Sequence, residues 1–355
     1  MKTKITRYLM PLLTLTIIIT FYSFSCNTPG PADQTIEETA QETTEEITIE
    51  EPEEECISYA EWINQLAKAG KYDEAIEMAE DADEPIIQAE AFTKIADTYA
   101  EDGKKDNASE MITRALEAAE KIRNVSDISR YEKTIILKEI ANIYRKIGQT
   151  GNAEDILNKA TELAMIIGEM EDEIIDTYYY KIDALTKIAS DYAKYEQKEK
   201  ALDITNQALE IAPEVENKDN NKASSLSKIA RNYIELGQID KSLNILTQSY
   251  ELAEESEDNY SKVNILTEIA CNYTKAGKEN KALEIADQAF KLVKEIGYGA
   301  HALAKIAHIY KVIGLEEKAL DIFNQALETG KKEASEFSEG ETILMEVEEI
   351  YENGW

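Results

Sequence analysis

The chain has 355 residues and a formal net charge of −33, because 71 acidic side chains outweigh 38 basic ones. This excess of acid disfavours nucleic-acid binding, which needs a basic surface, and also disfavours peripheral binding to anionic lipid. Gly and Pro are few, helix-forming residues dominate, and no stretch of useful length alternates apolar and polar residues. The sequence therefore predicts an all-α protein.

Residues 1–26 predict an export signal. Lys2, Lys4 and Arg7 form a basic start, and an apolar run of about 16 residues follows, which is short for a membrane span. The run ends at Cys26 in a sequence that resembles a bacterial lipoprotein signal, in which the Cys is lipidated and becomes the new N-terminus. We expect a lipoprotein anchored in a membrane of the cell envelope, on its periplasmic or extracellular side. An ordinary cleaved signal peptide and an uncleaved anchor are the alternatives.

Residues 27–55 contain 11 acidic residues and neither Lys nor Arg. Such a segment cannot bury enough apolar surface to fold, so the sequence predicts a disordered acidic tether. A flexible chain of this length has a root-mean-square span of roughly 30 Å, and more when its charges repel one another.

The stretch from Leu266 to Phe290 predicts two short helices joined at Gly277. In the first helix, apolar residues recur at spacings of three, one and three, which is one face of an α-helix. Gly277 predicts the end of that helix, because Gly readily adopts the left-handed cap conformation. Small residues on one face of the second helix allow the pair to approach closely. The landmarks are Leu266, Ile269, Ala270, Tyr273, Gly277, Ala282, Ala286 and Ala289.

The same landmarks return along the chain at intervals of about 33 to 48 residues. Neither helix can bury its apolar stripe alone, so a unit repeated at this period predicts a solenoid of stacked helix pairs. A degenerate first copy covers residues 59–82, and one later copy has Glu196 where the others have the helix-ending Gly. The Ile, Ala and Tyr landmarks of the other first helices are Ile95, Ala96 and Tyr99; Ile140, Ala141 and Tyr144; Ile188, Ala189 and Tyr192; Ile229, Ala230 and Tyr233; and Ile306, Ala307 and Tyr310.

This pattern resembles the tetratricopeptide repeat family, in which a large residue is followed by Leu, Gly and Tyr, then by Ala, Phe and Ala, then by Pro. Here Leu usually replaces the opening Trp, Ala replaces the packing Gly, and most spacings exceed the usual period of about 34 residues. The resemblance is to the long-repeat type of the family. It implies a right-handed superhelical solenoid of helix-turn-helix repeats over residues 56–335, with a concave groove that binds ligands. The acidic amphipathic stretch 336–355 is predicted to cap the solenoid.

In each first helix, four positions point away from the predicted core: five and one residues before the central Ile, and two and six residues after it. Over six copies these positions hold eight basic and seven acidic residues, although the whole chain is strongly acidic. A row of lysines along a groove would attract a carboxylate-bearing partner, such as an acidic segment or a free C-terminus. For exposed lysines with acidic neighbours, however, the first expectation is a solvated face whose charges pair internally. The candidate ligand-binding residues are Lys94, Asn142, Lys146, Lys187, Lys194, Lys228, Arg231, Lys275, His301, Lys305 and His308.

The sequence predicts a binding protein that has no catalytic centre, metal or cofactor. Cys56 and Cys271 lie in different units and are expected to be free thiols. His301 and His308 are about 10 Å apart along one helix, which is too far for both to hold one metal ion. We expect a membrane-tethered scaffold that binds a protein or peptide along its concave face. A self-assembling structural protein and a small-ligand or glycan-binding repeat protein are the alternatives.

Overall fold

The computed structural model describes residues 59–169 and 176–336, together with Val347 and Ile350. All of them belong to one structural unit, Glu54–Trp355. The predicted export signal with Cys26, the predicted tether 27–55 and Cys56 lie outside the described residues, as does most of the predicted capping segment 336–355. None of the helices in the described part of the chain is both long and apolar enough to cross a membrane.

The described residues form fourteen α-helices and two short 3-10 helices, and none of them lies in a strand, which confirms the all-α prediction. The 3-10 helices, Ala212–Glu214 and Lys218–Asn220, both lie between α8 and α9. The α-helices are α1 Tyr59–Lys68, α2 Tyr72–Glu80, α3 Pro85–Glu101, α4 Lys105–Lys121, α5 Asp127–Lys146, α6 Thr150–Met165, α7 Thr177–Lys194, α8 Lys198–Ile211, α9 Asn221–Glu235, α10 Ile239–Glu254, α11 Asn259–Lys275, α12 Glu279–Ile296, α13 Ala300–Val312 and α14 Glu316–Glu336.

Consecutive helices pack in pairs, from α1 with α2 to α13 with α14, and successive pairs stack on one another. The first helices of neighbouring pairs touch directly, α3 on α5 and so on to α11 on α13. The second helices of neighbouring pairs lie further apart, and long side chains such as Lys200 and Glu154 bridge them. The first helices therefore line the inner, concave side of the stack. This arrangement confirms the predicted solenoid of helix-turn-helix repeats.

The predicted apolar landmarks form one continuous core. The central Ile and the following Ala of all six full first helices are at most 1% exposed. Because the Ala side chain is small, it lets neighbouring first helices approach closely. Each methylene buried in the core contributes about 0.8 kcal/mol to the stability of the fold. Val347, from the predicted capping segment, is fully buried in the same core, and Ile350 packs against it.

The landmark tyrosines are buried in five of the six copies, and Tyr144 is half-buried. The hydroxyls of four of them, Tyr192, Tyr233, Tyr273 and Tyr310, have a hydrogen-bond partner. Tyr192 donates to Asn158 Oδ1 at 2.6 Å, and Tyr233 donates to Asn206 Oδ1 at 2.7 Å. Each of these tyrosines thereby links a first helix to the second helix of the preceding repeat. A buried tyrosine ring with a paired hydroxyl contributes both apolar contact and a directional hydrogen bond.

The turn between the two helices of a repeat needs one residue with a left-handed backbone. Gly277 has φ +70°, and the following amide of Lys278 donates to the Tyr273 carbonyl at 2.9 Å, which closes the first helix. Glu196 adopts φ +63° at the corresponding position, with the equivalent hydrogen bond from Gln197 to Tyr192. A left-handed conformation costs a residue with a Cβ atom roughly 1–2 kcal/mol, so the turn at Glu196 is strained.

We predict that Glu196→Gly stabilises the protein by about 0.5–1 kcal/mol, because the relief of backbone strain exceeds the entropy that Gly adds to the unfolded chain. The matched control is Gly237→Glu, since Gly237 has φ +76° and an added Cβ would meet no atom within 4 Å. It should destabilise the protein by a similar amount. Urea unfolding of both variants measures the two changes, and a destabilised Glu196→Gly variant would contradict the assignment.

Candidate functional site

The candidate site is the inner wall, defined as the surface formed by α3, α5, α7, α9, α11 and α13. One register of contacts recurs between its neighbouring helices. The side chain three residues after the central Ile of one helix reaches the residue two before the central Ile of the preceding helix. Asn232 donates to the Thr186 carbonyl at 2.8 Å, and Asn272 donates to the Ser227 carbonyl at 3.1 Å and to its Oγ at 2.9 Å. These buried amides fix the alignment of adjacent helices.

A buried carboxylate, Asp183, lies at the middle of the inner wall. It is 5% exposed and belongs to α7. Lys228 Nζ from α9 is 2.5 Å from one of its oxygens, while Lys187 Nζ lies 2.7 Å and the Tyr131 hydroxyl 2.7 Å from the other. Lys228 also donates to the Tyr179 hydroxyl at 3.2 Å. The cluster joins three successive first helices, because α5, α7 and α9 each contribute to it.

The two lysines decide the ionisation of Asp183. Burial alone would raise the pKa of this carboxyl, but the charges of Lys228 and Lys187 and their hydrogen bonds lower it to about 2. Burial would lower the pKa of Lys228, but Asp183 and Tyr179 raise it above its ordinary value. The pair is therefore ionised at neutral pH. Burial, and then the charge of Asp183, raises the pKa of Tyr131, so its hydroxyl stays protonated and donates.

A second charged cluster lies nearer the N-terminal end of the inner wall. Asp191 is 3.1 Å from Lys194 Nζ and 3.5 Å from Lys138 Nζ, and it accepts a hydrogen bond from Asn142 at 3.0 Å. Asn142 in turn accepts from the Tyr195 hydroxyl at 2.8 Å. The contact between Asp191 and Lys138 uses the same register as the buried amides.

An open cavity of about 630 Å³ lies beside this second cluster. At its edge Lys146 Nζ is 2.6 Å from Asp97 and 3.3 Å from Glu101. The Arg145 guanidinium stacks over the Tyr195 ring, 4.2 Å from its centroid. The cavity is lined by Thr93, Lys94, Asp97, Glu139, Asn142, Ile143, Arg145, Lys146, Lys194 and Tyr195.

A further cavity of about 340 Å³ lies between α9, α11 and α13. Three cations line it, Arg231, Lys275 and Lys305, and none of them makes an ion pair or a hydrogen bond within the described part of the chain. One carboxylate, Glu268, lies among them. Burial raises the pKa of the Cys271 thiol in this cavity to about 11, so the thiol stays protonated. The lining residues are Arg231, Glu268, Cys271, Asn272, Thr274, Lys275, Lys305, His308, Ile309 and Val312.

Both histidines are half-buried on α13. Burial and the nearby charge of Lys305 lower the pKa of His301 to about 4, and burial, Lys311 and Lys275 lower that of His308. Both imidazoles are thus neutral at pH 7 and add no charge to the wall. Among the described residues, no three His, Cys, Asp or Glu side chains are grouped closely enough to hold a metal ion.

The predicted site residues all lie on first helices of the inner wall, but they do not form one uniform row. Lys187 and Lys228 converge on Asp183, whereas Lys275 and Lys305 lie at a separate cavity. The predicted concave stripe included Asp183 as an outward-facing residue, which is wrong because this carboxylate is buried. Sequence reasoning missed the partners Lys138, Tyr131, Tyr179, Asp191 and Tyr195. Their positions relative to each central Ile identify them as partners only once the register between neighbouring helices is known.

We predict that Asp183→Asn destabilises the protein by about 3 kcal/mol, because Lys228 would remain buried without a carboxylate partner. The difference from wild type should shrink as pH falls from about 4 towards 2, since a lowered folded-state pKa contributes stability only above it. Urea unfolding as a function of pH measures both effects. Asp97→Asn is the control, because its pair with Lys146 is exposed and contributes about 0–1 kcal/mol. Equal losses in the two variants would contradict the role of burial.

Comparison with known protein families agrees with the helical-repeat fold of the chain. Models described as tetratricopeptide repeat match residues 221–295, and also residues 89–122 and 139–164. These segments lie within the repeats α3–α4, α5–α6, and α9 to α12. Comparison with the curated proteins gave no significant match.

Several solved structures resemble the chain at low similarity. Aspartyl phosphate phosphatase F from Bacillus subtilis is 14% identical over 83% of this chain and 94% of its own, with a TM-score of 0.42. Ton1535 from Thermococcus onnurineus NA1 is 18% identical over 84% and 98%, with a TM-score of 0.41. BtubC (BKLC) from P. vanneervenii is 16% identical over 68% and 91%, with a TM-score of 0.40. At residues 89–122, 139–164 and 221–295 the chain is similar to tetratricopeptide repeats.

Proposed function

We propose that the protein is a scaffold that binds a partner polypeptide along its inner wall. The observation that carries the proposal is the wall itself, a row of six first helices that presents fixed polar and charged side chains beside two open cavities. Lys146 and Lys275 are exposed on it, near its two ends. Side chains held in place by neighbouring helices lose little entropy when they bind a ligand, which favours recognition of an extended chain.

The wall favours a polypeptide over a flat aromatic or sugar ligand. Tyr131, Tyr179 and Tyr195 lie on the wall, but the hydroxyls of Tyr131 and Tyr195 are bonded to Asp183 and Asn142, and Lys228 donates to that of Tyr179. Their rings are partly covered by cations as well: Lys187 lies over Tyr131 and Lys228 over Tyr179. They therefore do not offer free platforms for stacking a sugar ring. Spaced polar contacts remain, and these suit the amides and side chains of a peptide.

We propose that this scaffold lies in the cell envelope, outside the cytoplasm. Its support is the basic and apolar start of the sequence, followed by Cys26 and by an acidic segment over residues 27–55. A lipid on Cys26 would hold the repeats at a membrane surface, and the acidic segment would act as the tether. Confinement to a surface raises the effective concentration of the scaffold for a partner in the same membrane.

A photo-crosslinking amino acid placed at single positions tests where the partner binds. Lys146 and Lys275 report on the inner wall, and the exposed Lys159 of α6 and Lys291 of α12 are matched controls on second helices. After irradiation of intact cells, we expect both wall positions to form an adduct with the same second polypeptide, identified by peptide sequencing. The control positions should form little or none.

Two results would contradict the proposal. Adducts confined to Lys159 and Lys291 would show that the partner binds the outer side, and adducts with other copies of this chain alone would support a self-assembling structural protein.

A Cys26→Ser variant, followed through membrane fractionation of the same cells, tests the tether. Recovery of this variant in the membrane pellet at the wild-type level would contradict lipidation at Cys26.

A further inference from the structure

The cations of the inner wall fall into two groups. Towards its N-terminal end and middle, Lys146, Lys187, Lys194 and Lys228 each lie within 3.1 Å of a carboxylate. From α9 to α13, Arg231, Lys275 and Lys305 have no ion pair among the described residues. Lys94 of α3 has none either, but the helix before it, α1, belongs to the degenerate first copy. The register between neighbouring helices explains this difference.

The lysine that precedes the central Ile meets different residues in different repeats. Lys228 of α9 reaches back to Tyr179 and Asp183 of α7, which stand nine and five residues before the central Ile of that helix. Lys305 of α13 holds the same position as Lys228. The residues at the matching positions of α11 are Tyr260 and Asn264. The register therefore gives Lys305 a neutral amide where Lys228 finds a carboxylate.

The side chain six residues after the central Ile also meets different residues in different repeats. Lys146 of α5 bonds Asp97 of α3, which lies two residues after its own central Ile, and Ser190 donates to Glu235 by the same register at 3.0 Å. Lys275 of α11 holds the position of Lys146, and the residue opposite it on α9 is Arg231. Two cations thus face each other where the N-terminal end of the wall pairs a lysine with an aspartate.

The three cations converge on one cavity. Arg231, Lys275 and Lys305 all line it and all act electrostatically on the half-buried Cys271, which lines the cavity too. Glu268 is the only carboxylate of the lining, so the formal charge of the cavity is +2, in a chain whose net charge is −33. Like charges gathered around a partly enclosed space repel one another unless an anion joins them.

Part of the lining of the same cavity is apolar. Val312 is 56% exposed, and the buried Ile309 lies one helical turn before it. Val312 holds the position that carries Lys146 and Lys275 in other repeats. The cavity therefore offers an anion site and an apolar contact side by side.

We propose that this cavity binds an acidic peptide segment of a partner, in which carboxylates contact Arg231, Lys275 and Lys305 and a neighbouring aliphatic side chain contacts Val312. The inference rests on the proposed function and assigns its anchor to the C-terminal part of the inner wall. A peptide fits better than a small anion, because the cations are spread over three helices and an apolar contact adjoins them. The paired lysines of the other group contribute little, since binding there would first break internal ion pairs.

The test uses the full chain and a short rhodamine-labelled peptide that alternates Glu with Leu, with binding followed by fluorescence anisotropy. The matched peptide has Gln in place of each Glu. We expect the acidic peptide alone to bind, with an affinity that falls as salt rises. Replacing Arg231, Lys275 and Lys305 together by Gln should weaken binding about ten- to a hundredfold, because each charged contact with the peptide contributes up to about 1 kcal/mol.

The control variant replaces Lys146, Lys187 and Lys194 by Gln, which removes the same number of charges from the other group. Its affinity should stay within about twofold of wild type, because these lysines are already paired. Asn264→Asp is a second test that removes no cation. It places a carboxylate opposite Lys305, as Asp183 lies opposite Lys228, and it should weaken peptide binding several-fold while the helical circular dichroism is unchanged.

Several outcomes would overturn the assignment. Equal loss in both triple variants would mean that only the general field attracts the peptide, and equal binding of the Gln peptide would exclude an anion site. Tighter binding by a peptide of the chain's own residues 42–55 would make the acidic segment of this protein the occupant. If the variant with Gln at all three positions binds the acidic peptide as tightly as wild type, while a crosslinker at position 146 still captures the partner in that variant, the scaffold function stands and this subsite falls.

Discussion

The structure depends on the close approach of neighbouring first helices. A fully buried Ala follows the central Ile in each of them, and this small residue allows one helix backbone to lie against the next. At that separation, side chains of adjacent repeats come within hydrogen-bonding distance in a single recurring register. The buried amides Asn232 and Asn272, the cluster around Asp183 and the pair of Lys146 with Asp97 all follow from it. Because each contact joins two repeats, the alignment of the stack and the chemistry of its inner wall have one cause.

The register also determines which charges of the wall are available to a partner. A lysine that meets an aspartate of the preceding helix is neutralised inside the protein, and its removal acts mainly on stability. A lysine that meets an amide or another cation has no carboxylate partner within the protein, so its charge can attract an anionic ligand. Lys228 and Lys305 hold the same position in their repeats, yet one is largely buried against Asp183 and the other lines an open cavity. A wall of nearly balanced formal charge can thus be locally basic, even in a strongly acidic chain.

The repeat architecture follows from the sequence because each landmark acts locally. The spacing of Ile, Ala and Tyr predicts one helix face, and Gly277 predicts a left-handed turn that its φ of +70° confirms. The position of Glu196 in the same pattern explains why a residue with a Cβ atom adopts that turn. The burial of the Ile and Ala landmarks in every full copy follows from the same periodicity.

The charge pairing could not be predicted from one helix at a time. A helical projection treats every residue opposite the core as exposed, and it therefore placed Asp183 on the open face. On a concave wall, the next helix covers part of that face, so Asp183 is buried and bonded from α5 and α9. Identifying such contacts requires the offset between helices about 45 residues apart in sequence, which depends on packing and not on local propensity. The predicted roles of Cys26 and of residues 27–55 concern parts of the chain outside the described structure and stay predictions.

The most direct test of this account is the acylation rate of individual lysines in the native protein, measured by mass spectrometry at low reagent concentration. Lys187 and Lys275 are both exposed, but only Lys187 is bonded to a carboxylate. The account predicts that Lys275 and Lys305 react faster than Lys146, Lys187 and Lys228, because a carboxylate holds each of the latter three amino groups and hinders its attack on the reagent. Lys146 and Lys187 reacting as fast as Lys275 would contradict the division of the inner wall into paired and unpaired cations.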